Sequence, residues 1–576
     1  MPLRPKHWQV APPAPPSHIA RLAPLHPIVV QVLYNRGITD PTEAAAFLDG
    51  EGAEGNPFDL PGMSTAVTRL RRALRAGEPI TVYGDFDADG VTATALLVQT
   101  LRALGGRVRP YIPHRVDEGY GLRQEVLTEM ARDDTRVVVT VDCGIRALPQ
   151  IVHANRLGLD IIVTDHHSVG EDLPEAVAVI DPKREDSDYH FKELAGVGVA
   201  YKLAQALLRS HRQARVTAQE TRLVEKDLVD LVALGTVADL VPLLGENRTL
   251  VHRGLKRLNS MARPGIEALC RQARVKAGQV DAAAISYALG PRINAAGRLG
   301  HAKLAYQLLG TQYPAEAEQL AGELDRLNHE RRQITSATQE LARQLALDTT
   351  SEAPLLFAAD PSFPAGIVGL AASRLVDEFY RPAIVVEVGD RVSRGSARSI
   401  PEFNIIEAID ECADLLIQHG GHATAAGFTV SNEHLDELAG KLQELAAEQL
   451  SGEPVPALSV DAEIELAQLS WELRLELERL EPCGYANPQP LFLSRNVQAR
   501  DQRAVGHDGR HLKLRLSDGR VTWDSIAFRQ GEWAGKLPDR VDAVYHLEVN
   551  EWNGQRQLQL NVQDIRPAGL DDVSRL

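Results

Sequence analysis

The stretch Val82-Tyr83-Gly84-Asp85-Phe86-Asp87-Ala88-Asp89-Gly90 places three aspartates at alternate positions directly after an apolar run. An Asp-x-Asp-x-Asp-Gly string first suggests an EF-hand calcium loop, which needs a bidentate glutamate at about the twelfth position. Counted from Asp85, that position is Leu96, so the EF-hand interpretation fails. Residues 79–82 have the pattern of a strand and residues 91–101 that of a buried helix, so we expect a strand, an acidic turn and a helix.

Three further apolar runs are also followed by a carboxylate or an imidazole. The runs and the residues that follow them are 136–141 with Asp142, 159–164 with Asp165-His166-His167, and 231–238 with Asp239. Short β-branched runs are typical of buried parallel strands, and ligands gather at the carboxyl ends of strands in open α/β sheets. The four elements therefore predict a metal site along one edge of a parallel sheet.

The side chains of this predicted site are several aspartates with one or two histidines and no cysteine. Carboxylate oxygens and imidazole nitrogens favour Mg²⁺ or Mn²⁺ over structural zinc. So many carboxylates fit two ions about 3.5–4 Å apart that share a bridging aspartate, an arrangement that hydrolyses phosphoesters. The alternative is that each aspartate only caps the following helix. The combined set, including the His-His pair, favours the metal site.

Composition excludes several other classes of protein. The 576-residue chain has no run of about 18 apolar residues, so no membrane span is expected. Residues 1–6 lack the apolar segment of a secretory signal. The four cysteines are far apart and form no Cys-x-x-Cys pair, which indicates a reducing cytoplasm without disulfides or zinc ribbons.

The formal net charge of −16 argues at first against a nucleic-acid partner. In residues 481–576, however, 13 basic side chains balance 13 acidic ones, so the first 480 residues carry the whole excess. Part of that excess is the aspartate-rich site itself. Because a channel can be locally positive in an acidic protein, the charge permits binding to DNA.

The chain is expected to be an α/β multidomain protein. Alternating strand and helix patterns with all the metal motifs predict a catalytic parallel-sheet domain over residues 49–300, after an N-terminal segment of 1–48 with two short helices. A connecting helix is expected in 301–350, a smaller α/β domain in 351–450, and a small β-barrel in 451–570.

Residues 315–346 have the clearest helical spacing, and such a helix would be about 48 Å long. A connector between domains is the preferred interpretation, and a coiled-coil arm of a dimer is the alternative. The polar, glycine-rich segment 290–299 is expected to contact substrate or to form a turn. The loop 111–122 is expected to contact substrate or simply to connect its neighbours.

The C-terminal region has short alternating strands typical of an OB-fold. Aromatic side chains lie there among arginines and lysines, a combination that stacks on single-stranded nucleic acid. The alternative is that most of these rings form the core of the barrel. The residues are Trp523, Phe528, Trp533, Tyr545 and Trp552.

The motifs together resemble the DHH phosphoesterase superfamily, which is named after the triplet Asp165-His166-His167. The resemblance implies that Asp87, Asp89, Asp142, His166 and Asp239 bind metal, that His167 faces the scissile phosphate, and that His167, Asp89 and Asp142 are catalytic. Many members have a histidine where this chain has Tyr83. Asp85 is the preferred replacement ligand for the second metal, and Asp230 is the alternative.

The sequence Gly420-Gly421-His422, followed by Ala425-Ala426-Gly427, resembles the DHHA1 domain that forms the other wall of the DHH cleft. Gly395-Ser396-Ala397-Arg398-Ser399 reads as a small-residue turn with one cation. Substrate contacts are expected from both walls. The candidates are Arg115, Asn294, Arg298, Arg374, Ser396, Arg398, Gly420, Gly421 and His422.

The order of DHH domain, long helix, DHHA1 domain and barrel is similar to the single-stranded-DNA exonucleases of this superfamily. The resemblance implies 5′–3′ release of mononucleotides in repair and recombination, with two Mn²⁺ or Mg²⁺ ions. It also implies a cytoplasmic monomer that works with single-strand binding protein and a helicase. The alternatives are a DHH phosphodiesterase acting on short RNA or dinucleotides, a non-catalytic replication scaffold and an inorganic pyrophosphatase. The barrel argues against the phosphodiesterase and the pyrophosphatase, and the complete set of metal-binding side chains argues against the non-catalytic scaffold.

Overall fold

The computed structural model describes residues 6–52, 54–214, 221–349, 353–450, 452–552, 554–570 and 573–575. Contacts along the chain divide it into two units. The first unit is Gly52–Pro454 with Gly484–Ala486, and the second is Met1–Glu51 with Val455–Cys483 and Asn487–Leu576. The predicted parallel sheet, connecting helix and smaller α/β domain belong to the first unit, and the predicted barrel belongs to the second.

The first unit contains a five-stranded sheet in which all neighbouring strands are parallel, as predicted. In spatial order the strands are Val108–Tyr111, Ile80–Tyr83, Val137–Val141, Asp160–Thr164 and Ala178–Ile180. The central strands are buried on both faces, which is why they are nearly continuous apolar runs. The register pairs Tyr83 with Thr140 and Val141 with Thr164, so the carboxyl ends of the central strands lie side by side.

Helices cover this sheet: most share one extensive core with it, and Gln124–Arg132 and Leu148–Arg156 pack against it in a separate, smaller core. They are Met63–Ala76, Ala88–Ala103, Gln124–Arg132, Leu148–Arg156, Gly196–Gln213, Val229–Ala238, Gly245–Asn259, Pro264–Gln272, Ala282–Ala284, Gly290–Leu299 and Lys303–Gly310, with a π-helical turn at Ile285–Leu289. The run that precedes Asp239 is therefore the end of a helix. That helix is buried almost throughout, and pattern alone does not distinguish a buried helix from a buried strand.

The segment Gly290–Leu299, expected to contact substrate or to form a turn, is also a helix. Its small residues make this possible, because they let the helix pack closely beside the acidic turn. A Cβ atom at Gly297 would lie only 2.9 Å from the carbonyl oxygen of Phe86. The glycines that resemble a loop in the sequence therefore permit close packing of a helix.

A single helix, Pro314–Thr349, spans 36 residues and connects two separate cores. Ala317, Ala321 and Leu324 pack in the core of the parallel sheet, whereas Ala342 and Ala346 pack in a second core. The predicted connector is confirmed. Neither this helix nor any other in the described parts of the chain is long and apolar enough to cross a membrane.

The smaller α/β domain has a mixed sheet with the strand order Leu416–His422, Ala425–Ser431, Val392–Arg398, Ala383–Glu387 and Leu356–Asp360. Its helices are Val368–Phe379, Ile405–Asp410 and Leu435–Gln449. The predicted small-residue turn at 395–399 is wrong, because most of it belongs to the strand Val392–Arg398. Gly395 is required there because the ring of Phe428, from the adjacent strand, occupies the space of a side chain.

The second unit contains a barrel formed by Phe492–Val505, His511–Ser517, Thr522–Ala527, Gln555–Pro567 and Arg540–Trp552, which closes when the last of these pairs with the first. A three-stranded sheet joins His7–Val10 to Ala457–Val460 and Val573–Arg575. The remaining elements are the short strand Ala462–Glu463 and the helices Pro16–Arg21, Pro27–Asn35, Pro41–Asp49 and Trp471–Glu478. The N-terminal helices share a core with the barrel, so the segment expected separately at 1–48 folds with the C-terminal region.

Candidate metal centre and adjoining cavities

Six side chains that the sequence analysis assigned to metal converge at the carboxyl edge of the parallel sheet. They are Asp85, Asp87, Asp89, Asp142, His166 and Asp239. Their ligand atoms form groups whose members all lie within 4.8 Å of one another, one with Asp89, His166 and Asp239 and another with Asp85, Asp87 and Asp142. His166 Nε2 lies 3.1 Å from Asp142 Oδ1 and 3.6 Å from Asp239 Oδ2. Asp142 therefore belongs to the second group and also lies next to His166 of the first.

The acidic turn is held at the start of the helix Ala88–Ala103. Asp87 Oδ1 accepts hydrogen bonds from the backbone N–H groups of Asp89, at 2.9 Å, and Gly90, at 3.0 Å. The N–H of Ala88 donates to Asn294 Oδ1 at 2.8 Å. The alternative that these aspartates only cap a helix thus holds for one oxygen of Asp87. It does not describe Asp85, whose buried Oδ1 has no hydrogen-bond partner among the described residues.

Asp89 is oriented by the start of another helix, Gly196–Gln213. Its Oδ2 accepts a hydrogen bond from the N–H of Gly196 at 2.6 Å, and its Oδ1 accepts one from Val197 at 2.9 Å. A helix N-terminus stabilises a carboxylate in this position. Gly196 also leaves room for the neighbouring ligand, because a Cβ atom there would lie 2.6 Å from Asp142 Oδ1.

Gly196→Ala is therefore expected to weaken Mn²⁺ binding by about tenfold or more, since displaced ligand contacts typically cost about 10–100-fold in metal affinity. Isothermal titration of the purified protein with MnCl₂ measures this change. Gly198→Ala is the matched control, because a Cβ atom there would be 3.4 Å from the nearest atom of Leu194, an ordinary contact. Equal affinities for the two variants would contradict the role assigned to Gly196.

Asp142 adopts a left-handed backbone conformation with φ of 62°. Residues other than glycine rarely adopt this conformation, and such strain persists where surrounding contacts fix it. Here the N–H of Asp142 donates to the carbonyl of Thr164 at 3.1 Å, which ties the turn to the adjacent strand. The conformation brings the carboxylate over the sheet edge, next to His166.

The electrostatics of the carboxylates indicate that they need a cation. Burial raises the pKa of Asp85 to about 8 and that of Asp89 to about 7, and repulsion from Asp87 adds to both shifts. Burial also raises the pKa values of Asp142 and Asp239 well above the ordinary range, with repulsion from Asp89 as the next cause. Ionised together, these groups repel one another in a site that excludes water.

The metal-free protein is consequently expected to lose stability as pH rises from about 4 to about 8. The folded-state pKa values of Asp85 and Asp89 lie above the unfolded value, so the stability they contribute is present at low pH and is lost as they ionise. Melting temperatures in EDTA across this range test the expectation, with excess Mn²⁺ as the comparison. A melting temperature in EDTA that rises steadily with pH would contradict it.

His166 has the protonation state that a metal ligand requires. Burial lowers its pKa to about 3, and repulsion from His167 contributes, so the imidazole is neutral. Its Nε2 and Asp142 Oδ1 are buried and have no hydrogen-bond partner in the parts of the chain that the structure describes. Buried polar atoms normally have a partner. The donor set of carboxylates and one neutral imidazole fits Mn²⁺ or Mg²⁺.

His167 lies at the rim of the cluster, where its ring is oriented by Asp165. Its Nδ1 is 2.8 Å from Asp165 Oδ1, and Asp165 Oδ2 also accepts a hydrogen bond from the N–H of Ile145 at 2.9 Å. Burial lowers the pKa of His167, but the hydrogen bond and charge of Asp165 outweigh burial and hold that pKa above its ordinary value. This arrangement leaves Nε2 of His167 available to a substrate.

Asp230, the alternative ligand for the second metal, lies elsewhere. Its two oxygens accept hydrogen bonds from Arg263, at 3.0 and 3.2 Å, and both side chains are buried. Arg263 also donates to the carbonyl of Leu309 at 3.0 Å. Asp230 is therefore one partner of a buried ion pair, whereas Asp85 lies with Asp87 and Asp142.

Asp230→Asn is expected to destabilise the protein by about 3–5 kcal/mol, because it leaves a buried guanidinium group without its charged partner. Mn²⁺ affinity should be unchanged. Chemical denaturation and metal titration measure the two quantities. Asp227→Asn is the control, since Asp227 pairs with a partly exposed Arg257 at 3.3 Å and should cost about 1 kcal/mol or less. Loss of Mn²⁺ binding in Asp230→Asn would return it to the list of ligands.

A cavity of about 560 Å³, here called the basic cavity, is lined by residues of both α/β domains of the first unit. The guanidinium group of Arg115 lies over the Phe86 ring, 4.4 Å from its centroid. Arg298 Nη1 donates to the carbonyl of Gly366 at 3.0 Å, and Arg398 Nη1 donates to Ser396 Oγ at 3.0 Å. Arginines from three different segments thus meet beside the acidic turn.

These arginines destabilise one another in the absence of an anion. Burial lowers the pKa of Arg298 to about 9, and repulsion from Arg115 is the next cause. Burial also lowers the pKa of Arg398, again with a contribution from Arg115. Buried guanidinium groups normally have an anionic partner. The basic cavity therefore has the chemistry of a phosphate-binding site.

The other expected substrate contacts have different positions. Asn294 uses its amide oxygen to hold Ala88, so its described role is to fix the acidic turn. Arg374 Nη1 donates to Gln339 Oε1 at 3.2 Å, and Arg374 does not line the basic cavity. Ser396 does line it. Gly421 and His422 line a second cavity next to His167, and Gly420 belongs to the same strand.

Tyr120 belongs to the site, although the sequence pointed only to its loop, residues 111–122, and not to this side chain. Its hydroxyl lies 3.2 Å from both the carbonyl of Asp142 and His167 Nδ1. Glu118 shapes this loop, because it accepts hydrogen bonds from the Tyr111 hydroxyl at 2.5 Å and the N–H of His114 at 2.7 Å. The clustered glycines of the segment were its only signal. The loop supplies residues to both cavities.

The barrel presents few aromatic rings to solvent. Tyr545 is fully buried, and Trp523 and Trp533 pack against the barrel core. Phe528 is exposed, and the side chain of Trp552 lies outside the described residues. The alternative that most rings are core therefore holds for those described.

One face of the barrel instead carries like charges opposite each other. Arg500 pairs with Arg515, and Arg503 pairs with Lys513, on adjacent antiparallel strands. Like charges in directly opposed positions destabilise a sheet. Asp501 and Asp524 offset part of this charge by pairing with Arg515. The remaining cations on this face have the charge that contact with a polyanion requires.

Comparison with known proteins identifies three matching families. The family described as "DHH family, N-terminal domain" matches residues 79–236. The family described as "DHHA1 domain" matches residues 352–448, and the one described as "RecJ OB domain" matches residues 460–564.

The chain is similar over most of its length to proteins named single-stranded-DNA-specific exonuclease RecJ. It is 38% identical to the Bacillus subtilis protein over 93% of this chain and 68% of that one, and 36% identical to the Escherichia coli protein over 95% and 96%. The solved structure of RecJ with Mn²⁺ from Thermus thermophilus superimposes with a TM-score of 0.84 at 32% identity, covering 97% of this chain and 79% of that chain. A structure of the same protein with Mg²⁺ gives a TM-score of 0.78 at 31% identity, covering 97% and 78%.

Proposed function

The chain belongs to the RecJ family of single-stranded-DNA-specific exonucleases, and we propose that its acidic cluster hydrolyses the phosphodiester next to the 5′ end of a single strand of DNA. Each cycle would release one mononucleotide, in DNA repair and recombination. The observation that supports this most directly is that a two-group metal cluster, an oriented histidine and a cavity lined with arginines lie together in the first unit.

The cluster has the ligands for two divalent ions. Asp89, Asp142, His166 and Asp239 would hold one ion, and Asp85, Asp87 and Asp142 the other. When bound, the ions supply Lewis-acid chemistry that polarises the phosphate and activates the attacking water. Mn²⁺ and Mg²⁺ are the proposed cofactors, and each is present in a solved structure of the Thermus relative.

His167 is proposed to stabilise the scissile phosphate. Because Asp165 holds Nδ1, the proton on Nε2 would be directed to a phosphate oxygen as negative charge develops there. The hydrogen bond and charge of Asp165 raise the pKa of His167, which favours the protonated, donating ring. The Tyr120 hydroxyl beside Nδ1 limits rotation of the ring.

The basic cavity is proposed to bind the 5′-terminal phosphate. Arg115, Arg298 and Arg398 would form charge-assisted and bidentate hydrogen bonds with its oxygens, and Ser396 would add a hydroxyl. With the terminal phosphate held there, the next phosphodiester along the strand would reach the metal cluster. Such an arrangement would account for cleavage one nucleotide at a time and for polarity from the 5′ end.

The cationic barrel face of Arg500, Arg503, Lys513 and Arg515 is proposed to bind the strand through its phosphates, with little dependence on base sequence. Its presence favours a long single strand over short RNA or dinucleotides as substrate. The complete metal cluster favours a catalyst over a scaffold. Single-strand binding protein and a helicase as partners, a monomeric state and a cytoplasmic location are proposed from the family alone.

Digestion of single-stranded DNA labelled at the 5′ or the 3′ end tests this proposal, with Mn²⁺ and with EDTA as the control. We expect Mn²⁺-dependent release of a labelled mononucleotide from the 5′ end before any from the 3′ end. A duplex of the same sequence serves as the second control and should be resistant. Prompt release from the 3′ end would overturn the polarity, and cleavage in EDTA would overturn the role of the metal.

A further inference from the structure

A second cavity, of about 500 Å³, includes His167, which does not line the basic cavity. It is lined by residues of both α/β domains, and its volume is typical of small-molecule sites. Apolar surface comes from Leu122, Ile145 and Ala147, while Arg146, Ser168 and His419 add polar groups to the lining. This lining differs from that of the basic cavity, in which arginines predominate.

One polar group in the second cavity needs a partner. Gln150 Oε1 is buried and has no hydrogen-bond partner among the described residues, although Gln150 lies in the wall of the cavity. An amide can both donate to and accept from the edge of a nucleobase. Apolar side chains with a few placed polar groups are the usual lining for a flat, heteroaromatic ligand.

The two cavities adjoin each other at the reaction centre. Gln418 lines both of them, and the second cavity also includes His167 and Asp165. A strand whose terminal phosphate lies in the basic cavity and whose next phosphodiester lies at the metal cluster would continue beyond His167. The group that follows the scissile phosphate along the chain is the second nucleoside.

We infer that the second cavity binds this second nucleoside, with its base between Leu122 and Ala147 and its edge hydrogen-bonded to Gln150. The inference rests on the proposed function and adds a binding site for the retained strand, on the 3′ side of the scissile phosphate. Gln150 is then a positioning residue, since it fixes the strand that keeps the attacked phosphate without contacting the reacting atoms. Its contribution should appear in kcat/KM for cleavage of the first phosphodiester.

The test combines variants with modified substrates. The wild type, Gln150→Leu and Ala147→Phe are compared on 5′-phosphorylated single strands with Mn²⁺. The strands are unmodified or carry an abasic site at the first, the second or a distant nucleotide. Arg156→Leu is the matched control, because Arg156 lies on the same helix as Gln150 but does not line the cavity. The rate of release of the first mononucleotide is measured.

For the wild type, an abasic site at the second nucleotide should lower kcat/KM by about tenfold, the size of one lost base contact, and a distant abasic site should have little effect. On the unmodified strand, kcat/KM should fall by about the same factor for Gln150→Leu and for Ala147→Phe. On the strand that is abasic at the second nucleotide, kcat/KM of either variant should fall by no more than about a further twofold. Arg156→Leu should match the wild type on every strand.

If the loss from either substitution and the loss from the abasic site at the second nucleotide multiply, the inference is overturned while the proposed function stays in place. The inference is also overturned if the substitutions have no further effect on a strand that is abasic at the first nucleotide, because the cavity would then hold the terminal nucleoside. Should Ala147→Phe fail to fold, Gln150→Leu alone decides. Failure of the wild type to cleave the unmodified strand would overturn the proposed function and the inference with it, and the two failures are therefore distinguishable.

Discussion

Asp142→Asn is expected to lower the rate of single-strand cleavage by at least about a thousandfold, because removing one preorganised electrostatic partner typically costs about a hundred- to a thousandfold and this residue lies beside both ligand groups. The fold should remain intact. Asparagine has nearly the same shape, and it removes one charge from a cluster whose members repel one another. The metal-free variant should therefore melt at a higher temperature than the metal-free wild type.

Single-turnover cleavage measures the first effect, and melting curves in EDTA and in Mn²⁺ measure the second. Addition of Mn²⁺ should stabilise the variant much less than the wild type, since ligand binding stabilises the folded state more strongly when the affinity is higher. Asp181→Asn is the matched control: Asp181 is a buried carboxyl group directly after the strand Ala178–Ile180, outside both ligand groups. It should cleave within a few-fold of the wild type. Activity near the wild-type level in Asp142→Asn would refute the shared-ligand role.

Arg298→Met is expected to lower kcat/KM on 5′-phosphorylated strands by about 10–100-fold, since a hydrogen bond to a charged group contributes about 1.5–3 kcal/mol. On strands with a 5′-hydroxyl group the loss should be about threefold or less, because the terminal phosphate is then absent. The methionine keeps most of the apolar stem of the side chain and removes one of the mutually repelling cations. The variant should consequently fold as well as the wild type.

The measurement is kcat/KM for both strands, with Arg374→Met as the control. Arg374 lies on the helix Val368–Phe379 and bonds to Gln339, away from the basic cavity, so its replacement should not change the ratio between the strands. Equal losses on phosphorylated and hydroxylated strands for Arg298→Met would show that this arginine does not bind the terminal phosphate.

The proposed metal ligands could be placed from the sequence, because the topology of a parallel sheet largely determines where they lie. Once residues 80–83, 137–141 and 160–164 are recognised as parallel strands, Asp85, Asp142 and His166 must lie at one edge. Asp239 was found by the same rule although its run is a helix, since helix and strand both end at that edge. These inferences need only local pattern and the known behaviour of parallel sheets.

Other features depend on contacts between distant segments, which one sequence does not contain. Asn294 resembles a substrate ligand in sequence, but its amide holds Ala88 from more than two hundred residues away. Asp230 and Asp239 are the same type of residue, and the position of Arg263 distinguishes the ion-paired carboxylate from the proposed ligand. The glycines at 395 and 421 look like turn residues, yet they lie in strands where a neighbouring ring or a close backbone makes them fit.

The continuous helix Pro314–Thr349 also restricts how this chain can evolve. An insertion or deletion of one residue between its two packed ends would rotate one end by about 100° and shift it by about 1.5 Å relative to the other. Arg398 and Ser396, which lie beyond the far end, would no longer face Arg298. Length variation among homologues should therefore be absent between residues 325 and 341.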